Sequence, residues 1–356
     1  MTVAHINRIA TAVPGFDIHI PFVRFARSLV DEDPRSAALF EIMVERADIE
    51  QRWSCLSPGK GRGPEPDAPY DFYRREGFPT TAERMRRYER EAPLLAADAV
   101  RGLHLKDAAQ ITHLVIASCT GFSAPGLDFA LIERLGLDPS VERTIVGFMG
   151  CYAAINALKV AHHIVRSEKH AKVLVICLEL STLHLQETHQ LRQLLSFLIF
   201  ADGCAAALVT AEPRGLAIDA FRAVLAQDTS ELITWKIGDI GFDMVLSGRV
   251  PGVLSGILDE GLEALYPGID PSDVKHWAIH PGGRSILDAV ESSLTLAPTA
   301  LAHSREVLRR FGNMSSATIL FVLQRFLDTA RDGALGCSMS FGPGLVAETM
   351  LFRAIG

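Results

Sequence analysis

The chain has 356 residues, 48% of them hydrophobic and 22% charged, which is enough apolar material for two domains or one large duplicated one. A net charge of −7 argues against a nucleic-acid partner, because phosphate backbones select basic surfaces. No basic segment followed by an apolar one opens the chain, and no run of about 18 apolar residues occurs, so neither a secretory leader nor membrane insertion is expected. Six cysteines without CxxC spacing read as reduced thiols in a cytoplasmic protein.

Arginines crowd the first hundred residues: Arg46, Arg52, Arg62, Arg74, Arg75, Arg84, Arg86, Arg87 and Arg90. A solvated helix face accounts for such a set; the sharper alternative is that one or two meet the phosphates of a nucleotide-bearing substrate. Residues 57–79 are rich in Gly and Pro and read as a long loop. Thr80 and Glu83 have capping-box spacing, which predicts a helix start there. Thr112–Ser118 reads as a buried strand ending at Cys119, which borders whatever site forms there. The Gly150-Cys151 step stands at a strand-to-helix junction, where unpaired N–H groups and the macrodipole favour a thiolate. In isolation such a cysteine is equally a small hydrophobe, as Cys177, Cys204 and Cys337 are taken to be. A helix is expected over 152–166 and a strand over 173–178. Residues 187–195 form an extra segment placed to wall the site, and Glu212-Pro213-Arg214-Gly215 forms a turn joining two halves.

Lys275–His280 is a second buried strand, stopped by Pro281-Gly282-Gly283 so that His280 faces the space beyond its end, where α/β sites gather. Asn313 precedes a helix expected over 314–325; its bland reading is an N-cap. The separations match between halves: 38 positions from His113 to Cys151 against 37 from His276 to Asn313, and 26 from Cys151 to Cys177 against 24 from Asn313 to Cys337. Four matched elements in one order predict an α/β fold of two similar halves, 1–212 and 213–356. In that arrangement Cys151 and Asn313 are equivalent and converge on His280. A thiol, an imidazole and an amide suffice for acyl transfer through a thioester. The histidines lack metal-ligand spacing, and adjacent His162 and His163 cannot share a helix face, so no metal is expected.

These residues carry a resemblance. Cys119–Asp128, Gly150-Cys151, Ile199-Phe200-Ala201-Asp202-Gly203, Ile279–Gly283, Gly312–Ala317 and Ser340-Phe341-Gly342-Pro343-Gly344-Leu345 are similar, in order and spacing, to motifs of the type III polyketide synthases, the chalcone and stilbene synthase-like enzymes of the thiolase fold. The resemblance implies that Cys151 carries the acyl chain and that His280 and Asn313 complete a triad. It implies that Phe200 and Phe242 act as gatekeepers, with Ala201 replacing the usual Gly. Cys119, Thr120, Ser181, His184, Ile233, Ser315, Gly342 and Gly344 would line the substrate cavity, and Arg46 would meet the CoA phosphate, next to a site held by Glu50. It further implies acyl-CoA and malonyl-CoA as substrates, no cofactor, and a homodimer. Cys119 and His184 stand where threonines are usual, and Ala124 where a Met reaches the partner subunit. These departures favour an aliphatic starter and an alkyl pyrone or resorcinol product. The rival readings are a ketoacyl synthase III-like enzyme making one condensation, a papain-like or thioesterase-like Cys hydrolase, and a non-catalytic acyl-CoA-binding protein.

Overall fold

The computed structural model describes residues 2–31, 33–58, 72–73, 77–259, 261–263, 265–330 and 333–356. In chain order the elements are β1 (His5–Ala12), β2 (Phe16–Asp17), α1 (His19–Val30), α2 (Pro34–Arg46), β3 (Trp53–Ser54), α3 (Thr81–Arg101), β4 (His113–Ser118), α4 (Leu127–Leu135), β5 (Glu142–Gly147), α5 (Ala153–Ser167), β6 (Val173–Leu180), α6 (Leu191–Ile199), β7 (Asp202–Thr210) and β8 (Gly215–Leu225). There follow β9 (Ile233–Gly238), β10 (Gly241–Leu246), α7 (Val250–Leu258), β11 (His276–Ile279), α8 (Arg284–Ser293), α9 (Ala302–Phe311), α10 (Thr318–Thr329), β12 (Leu335–Gly342) and β13 (Val346–Ile355).

The main sheet has nine strands in the order β5-β4-β6-β7-β1-β8-β13-β12-β11, and it repeats itself about its middle. In one half β4 and β6 are parallel, while β6–β7 and β7–β1 are antiparallel. In the other half β11 and β12 are parallel, while β12–β13 and β13–β8 are antiparallel. Short pairing of His5 and Ile6 with Ala217 and Leu216 joins them. Strands buried on both faces read as near-continuous apolar runs, and β6, buried at every position, is apolar except at Glu179.

Two helices occupy the centre. α10 opens with Ile319, Leu320, Phe321, Val322 and Leu323, all buried; a helix apolar on every side belongs in a core. It packs on β11 and β12 of its own half and on β1 and β7 of the other, as α5 packs on β4 and β6 and also on β13. The expected α3 start is present as a full capping box between Thr80 and Glu83. The 212–215 turn joins β7 to β8, held by Asn7 Nδ2, which donates to the carbonyls of Glu212 and Arg214 at 2.9 Å each.

Three expectations need correction. The helix after Asn313 starts at Thr318, not 314, because Ser315–Ala317 form a tight 3₁₀ turn with Ser315 at φ 46°. Arg52 and Arg84 are not solvated: they are 1% and 0% exposed. Each charge sits in an interior seat built from backbone carbonyls. Arg86 and Arg90 do face outward from α3, whereas Arg62, Arg74, Arg75 and most of the expected 57–79 loop lie outside the described residues. No cysteine is in a disulfide, and no helix among the described residues is long and apolar enough to cross a membrane.

Candidate active site

Cys151 lies in a 3₁₀ turn, Gly150–Tyr152, between β5 and α5. Packing explains its glycine neighbours. Gly150 has φ 74°, and a β-carbon there would overlap the ring of Pro343 from the other half. A β-carbon on Gly342 would come 2.8 Å from the Tyr152 ring and 3.3 Å from the Cys151 nitrogen. The β12–β13 corner therefore presses directly on the nucleophile turn. Phe148 and Ser315, at φ 55° and 46°, hold left-handed conformations uncommon for non-glycine residues, the kind of strain that collects at functional sites.

His280 follows β11, its N–H donating to the Met339 carbonyl at 2.8 Å. Its imidazole is buried, and neither ring nitrogen has a hydrogen-bond partner. Burial lowers its pKa to about 3. Burial likewise pushes the Cys151 thiol up to about 11, although hydrogen bonds from Ser315 and Asn313 pull the other way. Burial thus acts against the thiolate that the strand-to-helix junction favours.

Asn313 is fixed by its backbone. It bridges Phe200, with its N–H donating to the Ile199 carbonyl at 2.8 Å and its carbonyl accepting from Ala201 at 2.9 Å. Its Oδ1 accepts from Ser315 N at 2.8 Å, and its Nδ2 donates to the Gly282 carbonyl beyond His280 at 3.3 Å. The oxygen does cap a backbone N–H, but that of a turn, not of a helix.

Cys151, His280 and Asn313 line one cavity of about 60 Å³, together with Cys119, Thr120, Ser181, Phe200, Ile233, Ser315 and Gly342. Behind its wall Glu179 is fully buried. It accepts from Cys119 N at 3.0 Å, Thr120 Oγ1 at 2.8 Å and Ser316 Oγ at 2.5 Å. Burial raises this carboxyl to about 7 despite those donors.

Phe242, His184 and Gly344 do not line the cavity. In the β9–β10 hairpin Trp235 stands opposite Met244, and Ile233 opposite Leu246; these four form the wall. Phe242 lies two residues nearer the turn, behind Trp235, with ring centroids 5.7 Å apart. It stacks on His184 at 4.0 Å. His184 in turn spends both nitrogens on backbone: Nε2–H donates to the Thr120 carbonyl at 2.7 Å and Nδ1 accepts from Phe242 N at 3.1 Å. Those partners assign its tautomer, and burial keeps it neutral by lowering its pKa to about 3. Met244, Trp235, Ile286 and Phe341 are lining residues that the sequence analysis passed over. Alternation of large apolar with polar residues over Ile233-Thr234-Trp235-Lys236-Ile237 was the available signal for the first strand; Met244-Val245-Leu246 does not alternate and offered none.

Arg46 lies not in the cavity but in an adjoining surface groove with Arg192 and Arg284. Groove and cavity share Leu246, Val250, Gly282 and Ile286, so the two lie side by side. The 187–195 segment contributes to this groove through Leu191, Arg192 and Leu195. A separate cluster of metal-ligand types, His113, Glu142 and Glu168, has donor atoms within 4.8 Å of one another. It lies at the starts of β4 and β5, the opposite ends of those strands from Cys119 and Cys151.

Two family descriptions match the chain: chalcone and stilbene synthases, N-terminal domain, over residues 28–213, and the C-terminal domain over 219–356. The alpha-pyrone synthesis polyketide synthase-like Pks18 of Mycobacterium tuberculosis is 37% identical, covering 99% of this chain and 92% of its own. Bisdemethoxycurcumin synthase of Oryza sativa subsp. japonica is 34% identical over 74% of this chain and 71% of its own. Among solved structures, PKS-I of the brown alga Ectocarpus siliculosus superposes with a TM-score of 0.86 at 31% identity, covering 100% of this chain and 99% of that one. The type III domain of Steely1 from Dictyostelium shares the fold, with a TM-score of 0.88 at 24% identity over 99% of this chain and 100% of that one. With both domains matched and a cysteine, a histidine and an asparagine meeting in one chamber, the chain belongs to the chalcone and stilbene synthase family and is a type III polyketide synthase, an acyltransferase of thiolase-like fold.

Proposed function

We propose that Cys151 carries the growing chain, that His280 moves its proton, and that His280 and Asn313 donate to the oxyanion. The observation that carries this reading is the convergence of all three on one cavity that adjoins an arginine-bordered groove. As the sulfur attacks an acyl-CoA carbonyl, the thiol proton passes to neutral His280. The resulting N–H⁺ and Asn313 Nδ2–H stabilise the tetrahedral oxyanion. CoA leaves as its thiol, taking the proton back. Malonyl-CoA then binds, and its carboxylate leaves as CO2 beside the Phe200 ring. The bonding pair becomes an enolate whose oxygen faces the Asn313 Nδ2–H, the donor that keeps its proton throughout. That enolate carbon attacks the acyl-Cys151 carbonyl and the Cys151 sulfur departs as thiolate; the thiolate then attacks the extended chain's thioester, breaking its bond to CoA, and CoA takes the one proton consumed per round from solvent.

Arg46 is assigned to the CoA phosphates, with Arg192 and Arg284 beside it; all three are exposed along the groove. CoA thioesters are the substrates, and the steps above call on no cofactor. The largely apolar wall of Ile233, Trp235, Met244, Leu246, Val250, Ile286 and Phe341 supports an aliphatic starter. The small cavity supports few extensions and release as an alkyl α-pyrone, which needs only attack of an enol oxygen on the terminal thioester. The Pks18 relative, described as acting in alpha-pyrone synthesis, agrees with this choice. Incubating the enzyme with malonyl-CoA and an equimolar medium-chain acyl-CoA and coumaroyl-CoA, then weighing the products, tests it. Predominant chalcone or stilbene would refute the starter assignment, and a single condensation would favour the ketoacyl synthase reading.

The chain divides functionally at 212/213, with the nucleophile in the first half and His280 and Asn313 in the second. A homodimer through β5 follows from its position at the sheet edge, where Ile145 (49%) and the nearby Phe129 (58%) and Phe122 (40%) are exposed; an unpaired edge bordered by apolar side chains invites a second copy. Six unpaired thiols suit a cytoplasmic location.

A further inference from the structure

Arg52 belongs to neither the groove nor the cavity, yet it touches both loops that frame the chemistry. The segment around it is stitched to the end of α9: Glu50 N and Gln51 N donate to the Arg309 carbonyl at 2.8 and 3.1 Å, and Trp53 Nε1 donates to the Arg310 carbonyl at 3.0 Å. From there the guanidinium reaches into the first half. Its Nη1 donates to the carbonyls of Phe197 at 2.9 Å and Phe200 at 2.6 Å. Its Nε donates to His19 Nδ1 at 3.1 Å, an acceptor because burial holds His19 neutral by lowering its pKa to about 3. Phe22 lies under the charge, its ring centre 4.7 Å away. The aliphatic stem packs on Gly312, the residue before Asn313. A β-carbon at 312 would stand 2.9 Å from Arg52 Cγ. Phe200 and Asn313 are themselves bridged.

We infer that Arg52 is a positioning residue for condensation: its head fixes the Phe200 carbonyl, its stem fixes Gly312, and together they set where the Phe200 ring and the Asn313 amide stand relative to Cys151. This rests on the roles proposed above for Phe200 and Asn313. A planar guanidinium presents several donors in a fixed fork, which a lysine ammonium cannot reproduce. Small displacements are costly, because an error of about 1 Å in a catalytic group lowers rate by up to about 10². An arginine that only stabilised the fold would change the amount of competent enzyme and leave the rate of each competent molecule unaltered.

The test is Arg52→Lys, with each rate expressed per chain whose Cys151 takes up an acyl group, counted by intact-protein mass. That normalisation removes any unfolded fraction. The expected result is one adduct per competent chain, condensation kcat lower by about tenfold, and malonyl-CoA KM within about threefold. In an Asn313→Ala background Arg52→Lys should cost less than it does alone, since the share of its effect that acts through Asn313 is already lost. An unchanged kcat per acylated chain overturns the inference, and so does a loss that multiplies with that of Asn313→Ala. Should Asn313→Ala alone leave condensation intact, the oxyanion reading has failed and this inference with it. A slow Asn313→Ala beside a normal Arg52→Lys sinks only the role of Arg52. If Arg52→Lys does not fold, His19→Gln, which perturbs the guanidinium at its Nε contact, is measured in the same way; a smaller drop in kcat supports the inference and an unaltered kcat refutes it.

Discussion

Glu179→Gln isolates a buried charge beside the nucleophile. The carboxyl is fully buried and held by three donors, yet its pKa is raised from 4.5 to about 7. Gln keeps most of the geometry: its oxygen can accept from Cys119 N and Thr120 Oγ1, and its NH2 can donate to the Ser316 hydroxyl, which turns round, while the Ser316 N–H loses its acceptor. That loss does not vary with pH, so the pH-dependent difference comes from the titration alone. Between pH 4.5 and 7 the unfolded chain releases a proton that the folded chain keeps, so this group's contribution to stability falls as pH rises. A displacement of about 2.5 pH units corresponds to about 3 kcal/mol, complete above pH 7. The buried histidines and Asp202 also titrate, but equally in both proteins, and they cancel in the comparison. Urea unfolding from pH 4.5 to 8 should therefore show the variant gaining about 3 kcal/mol on the wild type across that range. The ionised carboxylate also raises the Cys151 thiol, so iodoacetamide should label Cys151 faster in the variant at pH 8. Stability curves that run parallel across pH 4.5–7 would refute the argument.

Cys151→Ala should fold, since Ala suits a turn packed against small residues, and should show no acyl adduct by intact mass where the wild type shows one; a persisting adduct moves the nucleophile elsewhere. Phe200→Ser should slow malonyl-CoA decarboxylation roughly tenfold by wetting the entrance and should admit bulkier starters, and an unchanged decarboxylation rate and starter profile remove Phe200 from the mechanism. Trp235→Ala deletes a wall residue that also donates to the Cys119 carbonyl at 2.8 Å; it should cost about 3 kcal/mol in urea unfolding and shift products to higher mass, with an unchanged product profile counting against the wall assignment. Ile145→Lys on the exposed β5 edge should halve the mass seen by light scattering without lowering Tm by more than a few degrees, and a mass unmoved from that of the wild type would place the dimer contact elsewhere.

The features legible in the sequence were those set by neighbours along the chain. A Gly-Cys step, a strand broken by Pro-Gly-Gly, a capping box and a repeated spacing each carry their cause within a few residues. Even so, Asn313 was read as preceding a helix when it opens a tight turn, because the positive φ of Ser315 leaves no compositional mark. What failed depended on distant partners. Nothing near Arg52 or Arg84 announces burial, because the carbonyls that hold them come from around residues 197–200 and 183–185. The family resemblance pointed to Phe242 as the second gatekeeper. Strand pairing decided otherwise: the wall belongs to the positions opposite Trp235 and Ile233, and an aromatic ring two residues away became its backing. His184 raised the opposite problem, a polar residue at an expected cavity position. Two backbone partners absorb its polarity, so the cavity never meets it.

The pressure of Gly342 and Pro343 on the Gly150–Tyr152 turn has a consequence for biosynthesis. Chains emerge from the ribosome N-terminus first, and the thiol is made long before the strands that confine it. Until β12 and β13 take their places beside β11 and β8, the turn lacks the Pro343 ring and Gly342 backbone that press on it. An unfinished chain therefore presents an ordinary cysteine to the CoA esters around it. Closing the corner completes the chamber, so an unfinished chain carries the thiol without the pocket that sets an acyl group against it.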